Sequence, residues 1–176
     1  MKKTIFKGFH RPIQLPAFLS PCGFITTVKE HKIIRKVRFT DSCAYDLKND
    51  KQGDWNKLFG ICAGLTGIHR NSVRYGWRYS IEKQCIELCR IFYRNGKPSR
   101  EYIPGHDIPL NKTVTLELNI SYDVNSRLWA EFIVDGASVS LEFIEDVYSA
   151  MYWGCGLYFG GKSKAPHKMT VEIVKL

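Results

Sequence analysis

The residues best equipped for chemistry lie in one short run. Residues 71–80 read NSVRYGWRYS, with Arg74 and Arg78 on one side of a period-two alternation and Tyr75, Trp77 and Tyr79 on the other. Three large aromatics at alternate positions belong in a core, which turns the two guanidiniums outward around Gly76. A guanidinium is a planar fork of donors that matches a carboxylate or a pair of hydroxyls. Residues 85–94 supply a hairpin partner. If Tyr79 pairs with Ile86, Trp77 meets Leu88 and Val73 meets Phe92 on the core side. On the outer side Arg78 then meets Glu87, Gly76 meets Cys89, Arg74 meets Ile91 and Ser72 meets Tyr93. A slip of one residue would exchange the two faces. Gly60, Cys62 and Gly64 of a neighbouring run extend a floor of small residues. The expectation is a shallow concave groove whose ligand-binding residues are Arg74, Arg78, Glu87 and Tyr93, with Lys57, His69 and Asn71 at the rim. The same residues also allow a plainer reading, in which Arg78 and Glu87 are a cross-strand ion pair on a solvated face, worth under ~1 kcal/mol.

The sequence lacks the familiar catalytic and metal-binding patterns. Retaining glycoside hydrolysis needs two carboxylates about 5–5.5 Å apart. The nearest acids, Glu142, Glu145 and Asp146, fall in an expected turn. His69, His106 and His167 stand alone, and Cys85 and Cys89 are four positions apart with no zinc spacing. No catalytic residue, metal or cofactor is expected. Gly160 and Gly161 precede no helix and are expected in a turn rather than around a phosphate. Trp55, Trp129 and Trp153 are candidate sugar platforms, with Trp129 placed by parity on an outer face beside Ser121 and Glu142.

Strands must position these residues. Val114, Leu116, Leu118, Ile120 and Tyr122 share one face, and Leu128, Ala130, Phe132 and Val134 share the next. Asp135-Gly136 is a two-residue hairpin turn, because both positions tolerate positive φ. Continuing the pairing places Val139 opposite Phe132, Leu141 opposite Ala130 and Phe143 opposite Leu128, all toward one core. Ile33, Val37 and Phe39 mark another strand, residues 58–65 a further one, and residues 157–161 and 169–174 two more. Residues 1–22 carry Pro12, Pro16 and Pro21 and read as an extended leading segment. Helix is expected only as a turn around residues 142–149. About ten short strands in 176 residues define a single antiparallel β-sandwich domain spanning residues 1–176.

Charge is unevenly placed. Of the net +9, residues 1–38 contribute nine basic groups against the single acid Glu30, so the remainder is close to neutral. A basic N-terminal edge suits an acidic glycan or nucleic acid, or is a solvated strand edge kept from pairing. Nucleic-acid binding is not expected, because no recognised motif accompanies the charge. No apolar run reaches the ~18–20 residues of a membrane span. Lys7, His10, Arg11 and Pro12 interrupt any signal-peptide core, so a cytoplasmic location and six buried, reduced cysteines are expected.

The runs NKLFGICAGLTGIHRNSVRYGWR (56–78), IELCRIFYRNGK (86–97) and LYFGGKSKAPHKM (157–169) resemble small bacterial proteins of the concanavalin A-like lectin/glucanase superfamily. The resemblance covers roughly residues 30–176 and is greatest to members without an assigned activity. It implies an all-β, antiparallel jelly-roll sandwich with a concave sheet as the ligand face. The fold hosts lectins, hydrolases and lyases alike. The ExDxxE pattern of its glucanases and the QxH strand of its alginate lyases are both missing here. Three readings follow. The first is a carbohydrate-binding module that takes an oligosaccharide or polysaccharide on the concave sheet. The second is a structural or protein-interaction domain with no small-molecule site. The third is a glycoside hydrolase or a polysaccharide lyase, the lyase using His69 or Tyr93 as base while arginines neutralise a uronate.

Overall fold

A computed structural model describes residues 1–12, 30–63, 69–125, 127–143, 152–160 and 163–176. Twelve strands form two antiparallel sheets, and the one helical element described is a single 3-10 turn at Asp41–Cys43. In chain order the strands are β1 Lys2–Ile5, β2 Glu30–Phe39, β3 Asn56–Ala63, β4 Ser72–Ser80, β5 Cys85–Arg94, β6 Lys97–Tyr102, β7 Ile108–Pro109, β8 Thr113–Tyr122, β9 Leu128–Val134, β10 Ala137–Phe143, β11 Tyr152–Cys155 and β12 Met169–Lys175. One sheet runs β1-β12-β2-β8-β9-β10. The other runs β11-β3-β4-β5-β6, with β7 also pairing to β5. This is a jelly-roll β-sandwich.

The core between the sheets follows the period-two pattern. Val114, Leu116, Leu118 and Ile120 of β8 and Leu128, Ala130, Phe132 and Val134 of β9 are all buried. From the other sheet come Val73, Tyr75 and Trp77 of β4 and Ile86, Leu88 and Phe92 of β5. The buried Tyr75 hydroxyl donates across the sandwich to the carbonyl oxygens of Glu117 and Ile133, each at 2.9 Å, so its polar tip is satisfied.

Three expectations change. The Asp135-Gly136 turn forms, with φ of 48° and 85°, but β10 slips register between Ser138 and Ser140. The extra residue is Val139, a β-bulge, and it reverses parity beyond it. Leu141 therefore pairs with Glu131 and is 58% exposed instead of facing the core. Second, the strand expected at 157–161 is displaced. β11 at Tyr152–Cys155 pairs with β3, and Tyr158 adds only an isolated bridge to Lys57. Third, the leading segment is partly built in. β1 pairs with β12, and Ile5 is wholly buried. The helical turn expected near residues 142–149 lies mostly outside the described residues, as do Cys22, Gly64 and Gly161. Cys43, Cys85 and Cys89 carry buried thiols, and Cys62 and Cys155 are buried as well.

Candidate functional site

The β4–β5 register is the one read from the sequence. Tyr79 pairs with Ile86, Trp77 with Leu88, Arg78 with Glu87, Gly76 with Cys89, Arg74 with Ile91 and Ser72 with Tyr93. The sheet continues it on both sides. Gly60 of β3, Arg74, Ile91 and Arg100 of β6 form one row, and Lys57, Gly76, Cys89 and Tyr102 form the next. Lys57 reaches this outer face because β3 carries its own bulge. Leu58 and Phe59 together oppose Tyr75 and both enter the core.

Arg74, Lys57, Glu87 and Tyr93 share the face but are not open side chains. They are 2%, 3%, 5% and 7% exposed. The glycine floor is also taken up. A Cβ at Gly60 would lie 2.1 Å from the Val73 carbonyl oxygen and 2.9 Å from Arg74 Cγ. One at Gly76 would lie 2.5 Å from both Cys89 Sγ and Ile91 Cδ1. The glycines thus admit neighbours and leave no pit. Cys89, Ile91 and Tyr93 form a second small apolar cluster, with Trp55 packed against it.

Two polar groupings lie on this face. The first surrounds Lys57, whose ammonium donates to the Gly160 carbonyl at 3.1 Å and lies 5.3 Å from the centre of the Tyr158 ring. Burial, and after it the charges of Arg74 and Arg100, push the Lys57 pKa down to about 8. Arg74 donates through Nε and Nη2 to the Ser72 hydroxyl at 3.0 and 2.9 Å, and its guanidinium lies 5.2 Å from the Tyr93 ring centre. His69 is exposed and packs its ring 5.2 Å from that of Tyr93. Burial, Arg74 and Lys57 lower its pKa. Arg100 is exposed at the end of the row. Asn71 accepts a hydrogen bond from the Asn95 amide at 2.8 Å, so it braces the β5–β6 turn.

The second grouping is an ion-pair network. Arg78 Nε donates to Glu87 Oε2 at 2.6 Å, Lys83 pairs with Glu87 Oε1 at 2.9 Å, and Lys83 also meets Asp107 at 3.1 Å. The Arg78 guanidinium lies 4.2 Å from the centre of the Trp55 ring, which stacks at 22° on Tyr102. Burial raises the Glu87 carboxyl, but hydrogen bonds from Lys83 and Arg78 outweigh it and leave its pKa lowered. Arg78 and Glu87 therefore pair across the strands as the plainer reading had it, but Glu87 is buried instead of lying on a solvated face. The seven expected residues divide into a cationic cluster of Lys57, His69, Arg74 and Tyr93, a neutralised pair of Arg78 and Glu87, and a brace at Asn71.

Sequence reasoning missed Tyr158, Arg100 and Asn56. The Asn56 side chain donates to the Tyr45 hydroxyl at 3.0 Å and accepts from the Gly160 amide, which fixes the segment beside Lys57. The quoted run LYFGG flagged that segment, but nothing in it revealed a bridge across to β3. Among the described residues no group of three or more His, Cys, Asp or Glu side chains is arranged to hold a metal ion.

No protein-family model matches the chain, and neither does any curated protein. Solved structures do match in shape. A variant of alginate lyase Aly36B in complex with an alginate tetrasaccharide superposes with a TM-score of 0.70 at 13% identity, covering 99% of this chain and 78% of that one. The endo-beta-1,4-glucuronan lyase of the fungus Trichoderma reesei gives 0.54 at 12% identity, with 99% and 77% covered. An alginate lyase of Pseudomonas aeruginosa gives 0.53 at 11%, with 84% and 66% covered. At these identities the likeness establishes the jelly-roll fold that this chain shares with them.

Proposed function

We propose that the chain binds an anionic polysaccharide, a chain of uronate residues, on the outer face of the second sheet around Lys57, His69 and Arg100. The observation that carries this reading is the crowding of positive charge. Lys57 and His69 are both driven toward their neutral forms by burial and by neighbouring cations. A carboxylate placed there relieves that repulsion, whereas a neutral sugar does not. Arg74, held by Ser72 and Tyr93, acts as a fixed positive charge behind the contact surface, and the exposed Arg100 and His69 are the groups that touch ligand. The alginate and glucuronan lyases that share the fold support the choice of ligand class.

One observation favours a cleaving activity over simple binding. His69 is exposed, burial, Arg74 and Lys57 lower its pKa, and a neutral imidazole is a base. Beside a neutralised uronate, His69 would take the proton on the carbon next to the carboxylate. The glycosidic C–O bond would then break with formation of a C=C bond, and the leaving oxygen would gain a proton from water. The test is calorimetric titration with an alginate tetrasaccharide, plus ultraviolet absorbance for an unsaturated product. Arg100→Ala and Lys57→Met should each weaken binding tenfold or more, about 1.4 kcal/mol, with folding retained. Unchanged affinity in both variants would falsify the binding reading. An absorbance increase that survives in His69→Ala would remove His69 as the base.

A further inference from the structure

A second surface lies outside the sheet face. The loop after β1 and the loop before β12 are stitched together, Gly8 N–H to Ala165 O at 2.8 Å and Ala165 N–H to Phe9 O at 3.0 Å. Phe6 and Phe9 are 42% and 50% exposed, and they are the aromatic rings among the exposed large apolar side chains described. Lys7, Arg11, Lys164 and Lys168 are exposed around them, and the Lys168 ammonium lies 5.8 Å from the Phe6 ring centre. None of the four cations takes part in an ion pair among the described residues. Neither residues 1–12 nor residues 156–168 contain an aspartate or glutamate. This differs from the outer face of β2 and β12, where Lys32, Arg38 and Lys2 are paired with Glu117 and Glu172.

The patch joins the sheet site through one contact chain. His10 stacks on Tyr158 at 5.1 Å and 11°, its Nδ1 lies 3.0 Å from the Phe159 carbonyl oxygen, and Tyr158 bridges to Lys57. We infer that Phe6, Phe9 and the four surrounding cations form a second contact surface for the same polyuronate chain, engaged only when the polymer extends beyond the sheet site. Cations without an ion pair among the described residues answer the carboxylates of the polymer, and exposed rings offer flat faces for sugar stacking. The inference rests on the polyuronate reading of the sheet site for the identity of its ligand.

The full chain is tested with two probes, sodium alginate polymer and an alginate tetrasaccharide, against the variant Phe6→Ser/Phe9→Ser/Lys164→Gln/Lys168→Gln. Polymer affinity should fall at least tenfold and lose part of its salt dependence. Tetrasaccharide affinity and the thermal midpoint should stay unchanged. Unaltered polymer binding overturns the inference, as does an equal loss for both probes. Preferential, patch-dependent binding of duplex DNA or phosphatidylserine vesicles also overturns it. A parent protein that binds polymer through the patch but ignores tetrasaccharide supports the patch and sinks the sheet site, so the two failures are distinguishable.

Discussion

At the residue scale, the sequence separated the two faces of β4 but did not show the state of their side chains. Alternation separated Arg74 and Arg78 from Tyr75, Trp77 and Tyr79, and the pairing with β5 followed. It did not reveal that Arg74 is covered, although a sign was present. Leu88, Cys89, Ile91 and Phe92 place apolar groups on both faces of β5, which marks a strand buried on both sides. The lowered pKa of Lys57 was also illegible, because it arises first from burial and then from the charges of Arg74 and Arg100 on other strands. Burial pushes the Lys57 pKa down to about 8 from the ordinary lysine value of 10.5. Above pH 8 the unfolded chain therefore holds more protons, and stability rises with pH through that window. Urea denaturation at pH 7, 8, 9 and 10 should show the parent gaining on Lys57→Met as pH rises toward 10.5; parallel curves would contradict the shift. Arg78→Met should cost about 1–3 kcal/mol by leaving the Glu87 carboxylate short of a partner in a buried position. The lower end is expected, since Lys83 still pairs with Glu87.

At the element scale, strand existence was legible and irregularities were not. The β8–β9 pair followed from alternation because every inward position is apolar. The Val139 bulge did not, since ASVSLEF alternates smoothly and a bulge is set by partners in space. Leu141→Lys should then shift stability by no more than about 0.5 kcal/mol, whereas Phe132→Ala should cost about 3–5 kcal/mol. A large loss for Leu141→Lys would restore the unbulged register. Gly60 and Gly76 separate in the same way. A methyl at Gly60 meets the Val73 carbonyl oxygen, which is backbone, while at Gly76 the nearest atoms are side-chain ends. Gly60→Ala should therefore destabilise by more than Gly76→Ala in thermal melts, and the reverse order would mean that β3 and β4 are farther apart than described.

At the scale of the whole molecule, the sandwich is closed by its two ends. β1 lies against β12, so Lys2 pairs with Glu172 and Ile5 with Met169. A leading segment rich in Lys and Pro gave little hint of this, because within β1 only Ile5 is buried. Ile5→Ala should cost about 2–4 kcal/mol, a loss that a disposable leader would not show. The long sequence separation of these contacts also predicts slow folding. The fold itself is shared with lyases acting on alginate and glucuronan, and fold alone does not decide function. The candidate site of this chain is the group of cations Lys57, Arg74 and Arg100 on two adjacent rows of the second sheet. The most direct measurement is calorimetric titration of the parent protein with an alginate tetrasaccharide and a neutral glucan tetrasaccharide, at low and high salt. The uronate should bind at least tenfold more tightly, and that preference should be lost as salt rises. Equal affinity for the two sugars, or binding of the neutral one alone, would contradict the polyuronate reading.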